Sequence, residues 1–155
     1  MANELIPLVD QFLANRPYQA AFIFVHPEIR QLQTTGTHLL NHYNWPRLSV
    51  GNALSQALRN VPPQQRPSRA PGLLADIVRT HHSGPLLCDD IDLLFEPALQ
   101  LDPLHLLLSL SRTATLLIPW PGSFQNKVLA YAVPTHAHYR IWFAPDLCDY
   151  CLMPL

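Results

Sequence analysis

Three carboxylates stand together after a short apolar run in the middle of the chain. The run is Leu86-Leu87-Cys88, and the acids are Asp89, Asp90 and Asp92. It predicts a short buried strand, and ligands of open α/β sheets bind at the carboxyl ends of such strands. Asp89 could hold Mg²⁺ through water and Asp90 could orient an attacking water, which is the chemistry of phosphoryl transfer. The alternative is that Asp89 and Asp90 only cap the following turn, as Asp commonly does.

A phosphate-binding loop, which that chemistry also needs, is missing from the sequence. The first predicted strand, Ala20 to Val25, is followed by His26-Pro27-Glu28-Ile29-Arg30-Gln31-Leu32-Gln33, which contains neither Gly nor Lys. Without glycine the backbone cannot wrap a phosphate. Pro27 removes a backbone donor, and Glu28 repels an anion. Thr34 to Thr37 offers small residues but no Gly-Lys pair, so the sequence predicts no nucleotide site in the chain by itself.

Four other side chains are candidates for contacts with a partner or an anion. Arg66 and Arg69 lie in a proline-rich segment, Val61 to Pro71, which is predicted to be a stiff loop. Arg112 precedes a predicted strand, where it could meet a phosphate or a neighbouring subunit, or simply place a positive charge at a helix C-terminus. Trp120 stands at the tip of the same strand, and its indole suits packing or anchoring a partner.

The cysteines and histidines do not form a recognisable metal motif. Cys148 and Cys151 make a lone C-x-x-C near the C-terminus, and His136 and His138 are the nearest further ligands. A structural zinc site needs four ligands, and no second C-x-x-C exists. Three cysteines, an odd number, also argue against a disulfide framework. We therefore expect reduced thiols and no metal.

The composition limits the classes of function. Apolar residues make up 48% of the chain and charged residues only 14%, which predicts that a partner covers part of the surface. A formal net charge of −1 indicates neither a surface that binds nucleic acid nor one that binds an anionic membrane. No apolar run is long enough to span a membrane, and no secretory signal is visible at the start. We expect a cytoplasmic protein.

Hydrophobic periodicity predicts strands that alternate with helices along one domain, residues 1–155. Such alternation indicates an α/β fold with a mostly parallel sheet and helices on both faces. Asn3 is predicted to cap the first helix, and Pro71 to open a helix that ends at His81. The predicted helices are 1–16, 35–43, 52–60, 72–81 and one from Asp102; the predicted strands are 20–25, 47–50, 86–89 and 114–119, with extended segments at 127–132 and 139–143 and a tail at 144–155.

Several segments together resemble one family. They are Asp89-Asp90-Ile91-Asp92-Leu93-Leu94-Phe95-Glu96-Pro97, Leu101-Asp102-Pro103-Leu104, Leu110-Ser111-Arg112, Trp120-Pro121-Gly122, Tyr131-Ala132-Val133-Pro134-Thr135-His136 and Tyr139-Arg140, with Pro62-Pro63-Gln64-Gln65-Arg66-Pro67 and Arg69-Ala70-Pro71 upstream. In order and spacing they resemble the BrxF-like small P-loop proteins of BREX phage-defence systems, over roughly residues 18 to 143. The resemblance implies a three-layer P-loop NTPase-like fold of the ASCE/AAA type, with Asp89 as the Walker-B-like acid. The family's Gly-rich loop with Gly-Lys-Thr is replaced here by His26 to Gln33.

The first functional hypothesis is a non-catalytic, degenerate P-loop subunit that acts in protein assembly within a bacterial antiphage system. Its expected partners are other defence proteins and a second copy of the chain, with no membrane and no cofactor. The second hypothesis is an ATPase whose site is completed at an oligomer interface; it would use ATP and Mg²⁺, Asp89, Asp90 and a trans-acting Arg112. The third is a DNA-contacting module built on Arg66 and Arg69, which the near-neutral charge weighs against.

Overall fold

The computed structural model describes residues 2–81, 84–147 and 151–155. Strands and helices alternate along the chain, as the periodicity predicts. The strands are β1 (Ala21–His26), β2 (Arg47–Ser49), β3 (Leu86–Asp89), β4 (Leu116–Gln125), β5 (Val128–Tyr131), β6 (Arg140–Phe143) and β7 (Leu152–Pro154). The helices are α1 (Ala2–Ala14), α2 (Ile29–Tyr43), α3 (Val50–Leu58), α4 (Arg66–His81) and α5 (Pro103–Leu110), and 3-10 turns occupy Pro63–Gln65, Asp92–Phe95 and Pro97–Leu99. No helix within these ranges is both long and apolar enough to cross a membrane.

Five strands form a parallel sheet in the order β2-β3-β4-β1-β7. In the middle of the sheet, Ile23 of β1 is in register with Ile118 of β4 on one side and with Leu152 of β7 on the other. The residues of β1 from Ala21 to Val25 are all buried, which explains their continuous apolar run. β7 lies within the segment predicted to be a tail, so that part of the tail prediction is wrong.

Helices cover both faces of the sheet, which confirms the α/β class. Phe22 and Phe24 of β1 point into one apolar core together with residues of α1 and α2. Ile23 and Val25, which alternate with them, point into the other core with residues of α3, α4 and α5. The alternation along β1 therefore divides the protein into three layers.

The strands β4, β5 and β6 form an antiparallel extension of the parallel sheet, called the hairpin below. The first half of β4 pairs in parallel with β1, and its second half pairs antiparallel with β5, where Gly122 is opposite Tyr131. A Cβ at Gly122 would lie 1.8 Å from the carbonyl oxygen of Ala130, so only glycine permits this close approach. β6 pairs with β5 alone among the described strands, so it joins the sheet through β5 and not through the parallel strands.

Several predicted boundaries also need correction. Asn3 lies inside α1 and does not cap it. α2 begins at Ile29, six residues before the predicted start, because the Glu28 carbonyl already accepts the amides of the first turn. The predicted loop of residues 61–71 is largely helical, since α4 begins at Arg66. Pro67 falls in the first turn of that helix, where its missing N–H costs no hydrogen bond.

Candidate functional site

A cavity of about 540 Å³ opens at the carboxyl end of β3 and beside the middle of β4, beneath α2. Its volume is typical of a ligand pocket, and its position is the one where open α/β sheets bind ligands. Apolar and small polar side chains of α2 form one wall. The charged residues that line the cavity are Arg47, Asp89, Asp90 and Asp92. The structure therefore brings the predicted acids to one cavity and adds a basic residue that the sequence analysis overlooked.

Asp89 is held by an ion pair with a residue of the neighbouring strand. The Arg47 Nε donates to Asp89 Oδ2 at 2.6 Å, and both residues lie on the face of the sheet that α2 covers. The Arg47 side chain is 55% exposed and the Asp89 side chain 20% exposed. Asp89 Oδ1 is buried and has no hydrogen-bond partner among the described residues. One carboxylate oxygen is thus used by a cation of the chain itself, and the other is open to an additional contact.

Asp90 connects β3 to the start of α3. Its backbone adopts a left-handed conformation with φ of 55°, which Asp tolerates better than most residues. Its Oδ2 accepts a hydrogen bond from Ser49 Oγ at 2.8 Å, and its carbonyl oxygen accepts the amide of Gly51 at 2.8 Å. A Cβ at Gly51 would lie 2.8 Å from Asp90 Oδ2 and 3.0 Å from the Asp90 carbonyl oxygen, so this contact requires glycine. Asp90 therefore has a structural role, but it contacts Ser49 and Gly51 and does not cap the following turn in the way that the alternative predicted.

Asp92 ties the same edge of the sheet to the hairpin. Tyr131 donates its hydroxyl hydrogen to Asp92 Oδ1. Burial first, and then the hydrogen bond and the charge of Asp92, raise the pKa of Tyr131 well above its usual range. Burial, followed by the charge of Asp89, raises the pKa of the Cys88 thiol to about 12. Cys88 is therefore protonated at neutral pH and is not a nucleophile.

The carboxyl end of β1 contains no phosphate cradle. β1 ends at His26 and α2 begins at Ile29, which leaves only Pro27 and Glu28 between them. The amide of Glu28 donates to Nδ1 of His26 at 3.0 Å, so it is not available to an anion. Thr34 to Thr37 lies inside α2 and is not a loop. Backbone amides that converge on a phosphate, the essential feature of such a cradle, are replaced by a regular helix.

The electrostatics of the cavity also disfavour a phosphate. Three carboxylates and a single guanidinium line it, and the guanidinium is already paired with Asp89. A phosphate placed there would meet net negative charge at short range, where repulsion is strongest. Among the described residues there is no group of three or more His, Cys, Asp or Glu side chains that could hold a metal ion.

Arg112 is not close to the carboxylates in the same chain. It is exposed just before β4, at the amino edge of the parallel sheet, whereas Asp89 lies at the carboxyl end of β3. Its guanidinium carbon is 5.6 Å from the centre of the Tyr18 ring. Arg112 could therefore act on the acids only from another copy of the chain.

The structure places the three other predicted contact residues differently from the sequence prediction. Arg66 and Arg69 lie on α4 and not in a loop, and Trp120 lies in the core. Arg66 Nε donates to the Val61 carbonyl oxygen at 2.9 Å and lines a second cavity of about 220 Å³, whereas Arg69 is exposed on α4. Trp120 is fully buried, and its Nε1 donates to the Ala130 carbonyl oxygen at 3.0 Å. Trp120 is thus a core residue, and its prediction as a partner anchor is wrong.

The C-x-x-C motif is only partly described. Cys148 lies outside the described residues. Cys151 is buried beside α1 and α2 and is disulfide-bonded, so the expectation of a reduced thiol is wrong for Cys151. His138 Nε2 lies 4.0 Å from Glu96 Oε2, and the amide of His138 donates to His136 Nδ1 at 2.9 Å.

Sequence reasoning missed Arg47, Ser49 and Gly51, which together hold two of the three acids. The available signal was the alternation in Arg47-Leu48-Ser49, where polar residues flank one buried apolar residue. That pattern indicates a strand with one polar face, but it does not reveal which strand lies beside it.

Comparisons with known proteins do not assign this chain to a family. No protein-family model matches the chain, no curated protein matches it, and no solved structure matches it.

Proposed function

We propose that the chain is a non-catalytic subunit with a P-loop NTPase-like fold, acting in protein assembly within a bacterial antiphage system of the BREX kind. The resemblance of the segments around Asp89, Arg112 and Tyr131 supports this setting. The fold is compatible with the proposal, because the sheet is mostly parallel and β4 lies between β1 and the carboxylate strand β3. The cytoplasm is the location proposed for such a complex.

One observation carries the non-catalytic assignment. Only Pro27 and Glu28 separate β1 from α2, and neither can supply what a Gly-x-x-x-x-Gly-Lys-Ser/Thr loop supplies. Catalysis of phosphoryl transfer consists almost entirely of positioning and of electrostatic stabilisation of the phosphates. After β1 the chain has neither the lysine nor the converging amides that would position and stabilise the phosphates. In addition, Arg47 is paired with Asp89, the acid that would hold the magnesium ion through water.

Isothermal titration calorimetry with Mg·ATP tests this assignment directly. We expect no measurable heat of binding for the purified chain. A matched variant, Arg47→Ala, removes the intramolecular cation and leaves Asp89 free for a metal. Tight Mg·ATP binding by the natural chain would overturn the proposal, whereas binding by Arg47→Ala alone would show that the ion pair suppresses a latent site.

A functional test separates an assembly role from catalysis. In a host that expresses the complete defence system, deletion of this chain is expected to lower protection against phage. Asp89→Asn keeps the shape of the side chain and removes its charge, so an assembly subunit that carries it should restore protection to near the natural level. Full loss of protection with Asp89→Asn, at unchanged protein abundance, would favour catalysis instead.

The second candidate is an ATPase whose site is completed at an oligomer interface, and one buried carboxylate oxygen, Asp89 Oδ1, favours it. Asp89 Oδ1 faces no hydrogen-bond partner among the described residues, although it is buried beside the cavity. Buried oxygens are normally paired, so a partner or an ion could complete its contacts. This candidate predicts ATP hydrolysis only in the assembled complex, with Arg112 supplied by another copy. Unchanged hydrolysis by complexes that carry Asp89→Ala would eliminate it.

A further inference from the structure

The strand β6 forms an open edge of the hairpin. In the β5–β6 pair, the Ala144 amide donates to the Lys127 carbonyl oxygen at 2.7 Å. Hydrogen-bonded and non-hydrogen-bonded pairs alternate along an antiparallel ladder. Phe143 opposite Val128 and Ile141 opposite Ala130 are therefore non-hydrogen-bonded pairs. The amides and carbonyls of Ile141 and Phe143 consequently point away from β5, and no other strand within the described residues pairs with them.

The side chains along this edge are apolar and exposed. Phe143 is 74% exposed, Tyr139 is 39% exposed and Ile141 is 37% exposed. Ile141 and Phe143 alternate along β6 and so share one face, and Tyr139 directly precedes the strand. Their neighbour Trp142 belongs to the other face, which packs against Phe95 and Trp120 of the core. Exposed apolar side chains and unpaired backbone groups thus occur on the same four-residue strand.

The edge strand β6 is short, which is one natural protection, but its outward apolar face carries no charged side chain. Natural edges are blunted by charges, prolines or bulges, because an open edge recruits further strands. The single charged residue of β6, Arg140, is directed to its own chain: its Nη1 donates to the Leu101 carbonyl oxygen at 2.9 Å, and its guanidinium carbon lies 5.1 Å from the Trp142 ring centre. The outward face therefore presents no charge that a partner would have to neutralise.

We propose that β6 pairs antiparallel with β6 of a second copy of this chain, about a two-fold axis at Ile141. In this register Ile141 lies opposite Ile141, and Tyr139, which directly precedes β6, lies opposite Phe143 of the second copy. The Tyr139 amide already donates to the His136 carbonyl oxygen, so Tyr139 offers its carbonyl oxygen and its ring to the second copy. On the other face Arg140 lies opposite Trp142, so the two guanidinium groups do not face each other across the axis. The pairs on the outward face are apolar and no like charges meet, so the strand is complementary to itself without another protein.

The area available fits a reversible dimer. Covered aromatic side chains bury about 150–250 Å² each, so the three exposed side chains of both copies provide on the order of 700 Å² in total, before backbone contacts are added. This is below the roughly 1,000 Å² of a stable specific interface and fits only a weak, transient association. We therefore expect monomers and dimers in a concentration-dependent equilibrium. The inference deepens the assembly role proposed above and rests on it for its biological meaning, but not for its test.

Sedimentation equilibrium across a concentration series, without nucleotide, measures the association. We expect the apparent mass to rise from 17.5 kDa toward twice that value. Ile141→Lys and Ile141→Glu should each remain monomeric, since like charges would meet at the axis. An equimolar mixture of these two variants should recover the dimer, because Lys then lies opposite Glu. Circular dichroism confirms that both variants fold.

A matched pair of substitutions distinguishes pairing at the β6 edge from nonspecific association through exposed aromatic side chains. Phe143→Gln should weaken the dimer, whereas Tyr18→Gln, at a side chain that is 78% exposed in the bend before β1, should not. A monomer at every concentration, or a dimer unaffected by Ile141→Lys, would overturn the inference. Both results would leave the non-catalytic assignment intact, since that assignment is tested by nucleotide titration and by Asp89→Asn, and neither test depends on the dimer.

Discussion

The carboxyl ends of β1 and β3 lie on the same edge of one parallel sheet, yet they are built in opposite ways. At the end of β1, two residues lead directly into α2, and the His26 side chain accepts the Glu28 amide. At the end of β3, three carboxylates each contact a side chain from another strand. One end contains a short local turn, and the other contains a network that connects distant parts of the chain.

This difference shows why acids at a strand end are poor proof of catalysis. A carboxylate can be used by the fold itself, through an ion pair, a hydroxyl or a backbone amide. A glycine-rich loop with a lysine has no comparable use in packing. The absence of that loop at β1 is therefore more informative about activity than the presence of the acids at β3.

The largest effect is expected from Gly51→Ala, which disrupts the contacts of Asp90 at the end of β3. The new Cβ would lie 2.8 Å from Asp90 Oδ2, so α3 or the turn at Asp90 must shift. We expect a loss of about 2 kcal/mol in the free energy of unfolding, measured by urea denaturation. Gly72→Ala is the matched control, because nothing lies within 4 Å of its added Cβ. It should stabilise α4 by about 0.5–1 kcal/mol. Equal effects of the two substitutions would contradict the role of Gly51.

Tyr131→Phe is expected to cost about 1 kcal/mol, because it removes the hydrogen bond to Asp92. It should also change the response to alkali. The folded protein raises the pKa of Tyr131 above its usual 10.0, so this hydroxyl contributes stability below pH 10 that is lost as the pH rises further. Thermal unfolding above pH 10 should show a smaller decline for Tyr131→Phe. The decline should not vanish, because Tyr43, whose pKa burial and Asp10 also raise, remains. Identical pH profiles would contradict this assignment.

A double-mutant cycle with Arg47→Ala and Asp89→Asn measures the ion pair. Because the Arg47 side chain is 55% exposed, solvent weakens the pair, and we expect a coupling of only about 0.5–1 kcal/mol. High salt should reduce it. The measurement is the free energy of unfolding of the four proteins in urea. A coupling near zero would mean that Asp89 is free for another cation.

The smallest effect is expected at the β1 end, where Glu28 precedes α2 without a side-chain capping hydrogen bond. Glu28→Ser supplies a good capping hydroxyl and should raise the free energy of unfolding by about 0.5 kcal/mol. Differential scanning calorimetry detects this as a small rise in Tm. A substantial loss of stability would show that the β1 end, like the β3 end, depends on its natural side chains.

The sequence predicted the parallel α/β class because strands and helices have different hydrophobic periods. The strand ending at Asp89 and the capped helix at Asp102 are both observed, and Asp102 Oδ1 accepts the His105 amide at 3.1 Å. The proline-rich start of α4 was missed, because prolines that suit a first helical turn also suit a loop. β7 was missed because three residues are too few to produce a periodic signal.

By itself the sequence determined the alternating fold, the place of the three acids and the lack of a glycine-lysine loop, because these are local properties of the chain. Only the tertiary structure decided what the acids contact. Arg47 and Asp89 are 42 residues apart, and they meet because the sheet order places β2 beside β3. The open edge of β6 was likewise decided by strand pairing, since an unpaired backbone group becomes visible only when every neighbouring strand has been placed.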